Sequence, residues 1–191
     1  ADNPYEDLKV FQKRIDGLEY SVDHLGDKWY IRTNMNGAQN FKLMQTSQET
    51  TDLENWSTLI SHNSDTLLSS VQVFNDHLVI SQRSNSLTSL NIIHQKTGNH
   101  HEVSFDEPVY VVYPTTNTEF NTAKLRFRYS SLTTPSTIFE YDMNERSKKI
   151  LKETQVIGGH KPSQYKTERL LAKGRDGVFI PISLVYKKGL I

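Results

Sequence analysis

Between Leu125 and Asp142 the chain alternates apolar and polar side chains with a period of two. Leu125, Phe127 and Tyr129 interleave with Arg126, Arg128 and Ser130, and Thr137, Phe139 and Tyr141 interleave with Ile138, Glu140 and Asp142. A pleated strand sends successive side chains to opposite faces, so each run predicts a strand with one face turned to a core. The Ser/Thr/Pro stretch around Pro135 predicts the corner between them, because proline cannot donate a ladder hydrogen bond and short hydroxyls bond to their own turn. Upstream, Glu19 to Leu25, Lys28 to Asn34, Gln39 to Gln45 and Trp56 to Ile60 form four more short runs. They are separated by Gly26-Asp27, by Asn36-Gly37 and by a polar loop through Glu54 and Asn55; the first two are hairpin turn signals. Before them, Tyr5, Leu8 and Phe11 are spaced loosely as in a helical turn, and Pro4 to Lys13 reads as a short connecting segment.

The strand pattern repeats along the chain. WYIRTN at Trp29, LVISQR at Leu78 and LRFRYS at Leu125 recur at roughly 48 residues, a spacing that marks propeller blades. FKLMQT at Phe41, SLNIIH at Ser89 and TIFEYD at Thr137 follow at nearly the same interval. A small four-stranded sheet cannot bury both of its faces alone, so such units stack around an axis. The expected fold is all-β: a partial β-propeller of about three four-stranded antiparallel meander blades, at residues 17–62, 65–105 and 107–153, with Asp106 and Pro108 at the second boundary. Propellers close with about 4 to 8 blades, so three imply further blades elsewhere or association of the chain. An open β-sandwich of similar strand count is the competing architecture. From Lys152 to Lys166 the alternation lapses, and Gly158, Gly159 and Pro162 predict a linker or crossover. Thr167 to Lys173 and Val178 to Lys187 then flank Arg175-Asp176-Gly177 as a second type of hairpin, whose Asp-Gly suits a tight turn.

Composition narrows the function. Twenty-two basic and twenty-two acidic residues cancel, which argues against nucleic acid as a partner, since phosphate binding needs a basic excess. There are no cysteines, so neither a disulfide framework nor a thiolate metal site is available, and a reducing cytoplasm is the expected location. No apolar run approaches the roughly 20 residues that span a bilayer, and the opening ADNPYEDLKV is acidic where a signal peptide is basic. It reads as if cut from a longer chain.

Catalytic constellations are not in the text. A serine hydrolase elbow, G-x-S-x-G, is absent, and Ser130-Ser131 lack flanking glycines, so they read as turn residues. The seven histidines offer no H-x-x-x-H or H-E-x-x-H spacing; His100 and His101 are adjacent and face opposite sides of a strand, and His77 and His94 fall on different strands. There is no glycine-rich phosphate loop. No catalytic, cofactor-binding or metal-binding residue is therefore expected, and no cofactor. Arg126 and Arg128 read as cross-strand partners of groups such as Glu140, with a role in holding a closed enzyme together as the functional alternative. Lys96, Lys148 and Lys149 read as solvated.

The wording of several strands resembles one family. RYSSLTTPSTIFEYDM from Arg128 to Met143 is similar to the last propeller blade of the oligopeptidase B branch of the prolyl oligopeptidases. SLTSL at Ser86, SFDEPVYV at Ser104 and RDGVFIPISLVY at Arg175 follow in the family's order. At Asn85-Ser86 the chain departs from the family pattern of a basic residue followed by glycine. The resemblance implies that residues 1–155 are propeller and 156–191 the linker and first hairpin of an α/β-hydrolase domain whose Ser, Asp and His lie beyond Ile191. It also implies a serine oligopeptidase that cleaves small peptides after Lys or Arg, with the propeller as a gate, peptide substrate and its own catalytic domain as partners, and no membrane or nucleic acid. The chain alone is expected to be inactive and to self-associate through uncovered surface. A stand-alone β module that binds a protein or glycan is the alternative.

Overall fold

The computed structural model describes Tyr5, Asp7 and residues 9–190; Pro4 and Leu8 of the expected connecting segment lie outside the described residues. The chain divides into two compact units, Ala1–Ser64 and Asp65–Ile191. Among the described residues the regular structure is β-strand, interrupted by three single-turn 3-10 segments.

The first unit is one antiparallel meander, β1 (Tyr20–Leu25), β2 (Lys28–Thr33), β3 (Lys42–Ser47) and β4 (Ser57–Ile60), paired in chain order. Gly26 alone carries a positive φ in the Leu25–Lys28 turn, the pattern of a II′ hairpin. The third strand starts later than the alternation predicts. Phe41 sits at φ 61 with the Arg32 guanidinium 3.4 Å above its ring, so the chain is still turning at Phe41 and the ladder opens at Lys42. Ile31, Met44 and Trp56 form the core here, with Phe11 packed edge-on against Trp29 at 5.1 Å. Phe11 thus acts as an aromatic plug from the connecting segment.

The second unit holds two more meanders. One is β5 (Thr66–Val73), β6 (His77–Ser84), β7 (Leu87–His94) and β8 (His100–Glu102); the other is β9 (Tyr110–Pro114), β10 (Lys124–Ser131), β11 (Thr137–Asp142) and β12 (Ser147–Glu153). One apolar cluster joins them: Phe74, Val79, Leu90 and Ile92 from the first meet Leu125, Phe127, Tyr129 and Tyr141 from the second. The period of two supplies that face, because Leu125, Phe127 and Tyr129 are buried while Lys124, Arg126 and Arg128 are exposed on the same strand. Polar cross-links reinforce the stacking. Thr88 Oγ1 accepts from the Val112 amide at 2.8 Å, and Asn117 Nδ2 donates to Gln72 Oε1 at 2.9 Å while Asn117 Oδ1 accepts from the Arg126 amide.

A hairpin, β13 (Tyr165–Lys173) with β14 (Phe179–Lys187), completes the unit. Its turn has a positive φ at Gly177 and not at Asp176, with the Gly177 amide bonded to the Gly174 carbonyl. That is a type I turn followed by a left-handed glycine, a three-residue loop closed by the Gly174 amide on the Val178 carbonyl and one residue longer than a two-residue hairpin. The three meander sheets make the fold a partial β-propeller, and no helix among the described residues is long and apolar enough to cross a membrane.

Candidate functional site

The meanders of the second unit have two ends, and the hairpin lies at one of them. At that end are the β6–β7 turn, the segment from Val103 to Val109 that leads into β9, and the β10–β11 turn. Here a cavity of about 330 Å³ opens between propeller and hairpin, with Ser86, Tyr110, Ser130, Ser131, Arg169 and Ser183 among its walls.

The β10–β11 turn is held by a single carboxylate. Glu107, from the segment before β9, accepts hydrogen bonds from Tyr129 OH at 2.6 Å, Ser131 Oγ at 2.7 Å, Thr134 Oγ1 at 2.9 Å and Thr133 Oγ1. Burial by itself raises the Glu107 carboxyl, but the four hydroxyls bond to the charged form and together hold it below the ordinary glutamate range. Tyr129 is pushed strongly upward by burial and by its bond to this anion, so it stays a donor. Ser131 Oγ also accepts from the amides of Thr133 and Thr134. Its hydroxyl is thus committed to the turn, as the absence of flanking glycines suggests.

Around Glu107 an aromatic cluster seals the base of the site. Phe105 stacks on Tyr129 at 4.7 Å and meets Phe127 edge-on at 5.7 Å, while Lys148 Nζ lies 4.7 Å from the Phe105 ring and donates to the Ser104 carbonyl at 2.6 Å. Lys148 is exposed, as its turn-like sequence context predicts, and from the surface its ammonium reaches the Ser104 carbonyl and the Phe105 ring. From the linker, His160 Nε2 bonds to the Thr133 carbonyl at 2.6 Å; a carbonyl only accepts, so Nε2 carries the proton. The linker is thus tied to the very turn that Glu107 organises.

The hairpin presents one face to this site. Arg169 and Ser183, paired in register, line the cavity together with Pro181. On the alternate face, Leu170 pairs with Ile182 and Ala172 with Ile180, beside Leu184; Leu170 is 47% and Ile180 53% exposed. Apolar exposure extends to the Arg169 face near the turn, where Leu171 is 64% and Phe179 60% exposed, and the alternate face ends in the Lys166–Glu168 ion pair.

The other candidates fall elsewhere. Arg126 Nε pairs with Glu140 Oε2 at 3.3 Å and Lys149 with Glu140 Oε1 at 2.9 Å, while Arg128 donates to Ser136 Oγ. These are cross-strand and turn contacts on the face of the last sheet away from the core. Lys96 is exposed and pairs with Asp76. His77 and His94 stand opposite each other in the ladder with rings 5.1 Å apart, and His101 bonds to Tyr141 OH at 2.9 Å. All three line a cavity of about 190 Å³ at the end of the sheets opposite the hairpin. Burial, then the charge of His94, lowers His77; burial, then Arg146, lowers His101. Among the described residues no group of three His, Cys, Asp or Glu is arranged to hold a metal. Sequence reasoning missed Glu107, whose four partners lie 22 to 27 residues downstream; the boundary signal at Asp106 and Pro108 was the nearest hint.

Comparison with known proteins agrees with this architecture. The family model described as prolyl oligopeptidase, N-terminal beta-propeller domain, matches residues 1–154. A dipeptidyl aminopeptidase BI of Pseudoxanthomonas mexicana is 37% identical over 94% of this chain and 25% of its own length. Protease 2 of Moraxella lacunata is 33% identical over all of this chain and 27% of its own length. Oligopeptidase B from Leishmania major superposes with a TM-score of 0.85 at 30% identity, over 99% of this chain and 28% of that structure. The chain thus spans about a quarter of the length of these relatives. With three four-stranded meander sheets and a match over residues 1–154, the chain belongs to the prolyl oligopeptidase family through its N-terminal β-propeller domain.

Proposed function

We propose that this chain is the propeller segment of a serine oligopeptidase that cleaves small peptides after Lys or Arg, joined to the first hairpin of its hydrolase domain. In this reading residues 1–155 are propeller and 156–191 linker and hairpin. The observation that carries it is the hairpin itself. A two-stranded sheet is marginal alone, yet this one keeps one face at the propeller cavity through Arg169 and Ser183 and leaves Leu170, Ile180, Ile182 and Leu184 without a cover. Such a face suits the edge of a larger sheet, and the same surface would let copies of the chain associate.

The chemistry is acyl transfer. A serine oxygen supplied by the rest of the enzyme attacks the scissile carbonyl, a histidine held by an aspartate moves the proton, and water releases the acyl group. No metal or organic cofactor takes part. The propeller's contribution is access: a rigid wall, with the Glu107-pinned turn facing the hydrolase domain, admits flexible peptides and turns away folded proteins. A cytoplasmic location, consistent with the absence of cysteine, completes the reading.

Hydrolysis of a chromogenic peptide ending in arginine tests it. The full-length enzyme should release the chromophore and the 191-residue chain should not. Cleavage by the chain alone, or none by the full-length protein after either basic residue, would sink the proposal.

A further inference from the structure

We propose that the cavity between propeller and hairpin is a carboxylate-binding subsite built on Arg169. This goes beyond the peptidase reading and rests on it only for the owner of the carboxylate.

Arg169 is the sole charged residue among the described walls of the cavity, and it is half-buried. Its guanidinium has no hydrogen-bond or ion-pair partner among the described residues, whereas Arg126, Lys124, Lys149 and Lys166 are paired although more exposed. A half-buried cation without a counterion is unfavourable unless a ligand supplies one. The planar fork of arginine matches a carboxylate with two parallel N–H donors. Three serines of the same wall, Ser86, Ser130 and Ser183, have hydroxyls with no partner among the described residues, and a carboxylate has lone pairs for such donors. The volume, about 330 Å³, is at the small end of ligand pockets and suits a terminal residue or a short side chain.

A second observation points to the same place. The β6–β7 hairpin is a two-residue turn with φ 49 at Asn85 and φ 64 at Ser86. A I′ turn requires both angles to be positive, and glycine is the residue that meets the second at no steric cost. Here a serine holds that position and lines the cavity. Backbone held in a sparsely populated region collects where function uses it, and a hydroxyl facing an anion is such a use.

Two sources can provide the group: the C-terminal carboxylate of a bound peptide, or an acidic side chain from the rest of the full-length enzyme. Isothermal calorimetry on the 191-residue chain reads the subsite without turnover. An acetylated dialanine with a free C terminus is titrated beside the same dipeptide as its amide. The free acid should bind with a dissociation constant of order 1 mM and the amide should not. Arg169→Gln should weaken the acid by roughly tenfold or more. Arg169→Lys, which keeps the charge and loses the fork, should fall between. Ser86→Gly should raise the thermal midpoint by relieving the turn while weakening the acid. Equal binding of acid and amide, binding of neither, or an unchanged affinity in Arg169→Gln overturns the subsite, and leaves the hydrolysis test of the peptidase untouched. The full-length enzyme then identifies the source. If it still binds the free acid, the peptide supplies the carboxylate. If it does not, and Arg169→Gln lowers its thermal midpoint, its own chain does. If the full-length enzyme shows neither effect, the proposal fails.

Discussion

Phe127→Ala is expected to destabilise the Asp65–Ile191 unit by about 4 kcal/mol, the cost of removing a fully buried aromatic side chain and leaving a cavity. Phe127 has no exposed surface and sits in the cluster shared by the second and third meanders. Its ring stacks on Phe139 at 5.5 Å and receives the edge of Phe105 at 5.7 Å, so the substitution also forfeits aromatic pairs worth about 1 kcal/mol each beyond their area. Phe127→Leu keeps most of the volume and should cost well under half as much. Denaturant unfolding checks both, and the alanine variant should lower the thermal midpoint by roughly 12 °C or more. Near-equal stability of the two variants would mean that the sheets do not share a core through this ring.

The alternation that predicts Phe127 as a core residue made most of the fold legible. A period of two, broken by Gly-Asp, Asn-Gly and Ser/Thr/Pro turns, is a local signal that β10 follows cleanly, whereas β6 is buried along five consecutive residues and β12 is exposed throughout. Where contacts at a distance decide, the sequence is mute. Phe41 belongs by pattern to β3, but its left-handed backbone under Arg32 delays the strand. Lys148 is exposed as read, but only the fold shows that its ammonium meets the Phe105 ring and the Ser104 carbonyl. His77 and His94 are correctly on different strands, yet only the register reveals that they face one another. The candidate site is the extreme case, because Glu107, Ser86 and Arg169 come from three separate connections or strands and share no motif. Local reading did supply Arg126 as the partner of Glu140, whereas Ser130 and Ser131, read as turn residues, are the last two residues of β10, and only the Ser131 hydroxyl reaches into the turn.

Removing the Glu107 carboxylate is the second large effect. Glu107→Ala strands the hydroxyls of Tyr129, Ser131, Thr133 and Thr134 at once. Hydrogen bonds to a charged group contribute about 1.5 to 3 kcal/mol each before the turn relaxes and water enters, so a net loss of about 3 kcal/mol is expected. Glu107→Gln keeps the shape and one acceptor oxygen, and should lose about half of that. The variant pair also has a pH signature. The folded carboxyl lies below its ordinary value of 4.5, so the unfolded chain takes up the proton first as the solution is acidified. The contribution is therefore full above about pH 4.5 and is lost as pH falls through the folded value. The stability difference between wild type and Glu107→Gln should be constant near neutral pH and shrink below that point. A difference that persists unchanged into acid would show that the carboxylate is not the centre of the clamp.

Hydrogen exchange tests the central proposal most directly, that the meanders carry their own core whereas the hairpin is part of a sheet completed by a hydrolase domain. In dilute 191-residue chain, the amides of β10 should exchange slowly and those of β14 rapidly, with β14 gaining protection as concentration rises and copies associate. In the full-length enzyme both should be slow. Hairpin amides as protected as β10 in the dilute chain, or as labile in the full-length enzyme as in the chain, would contradict the account.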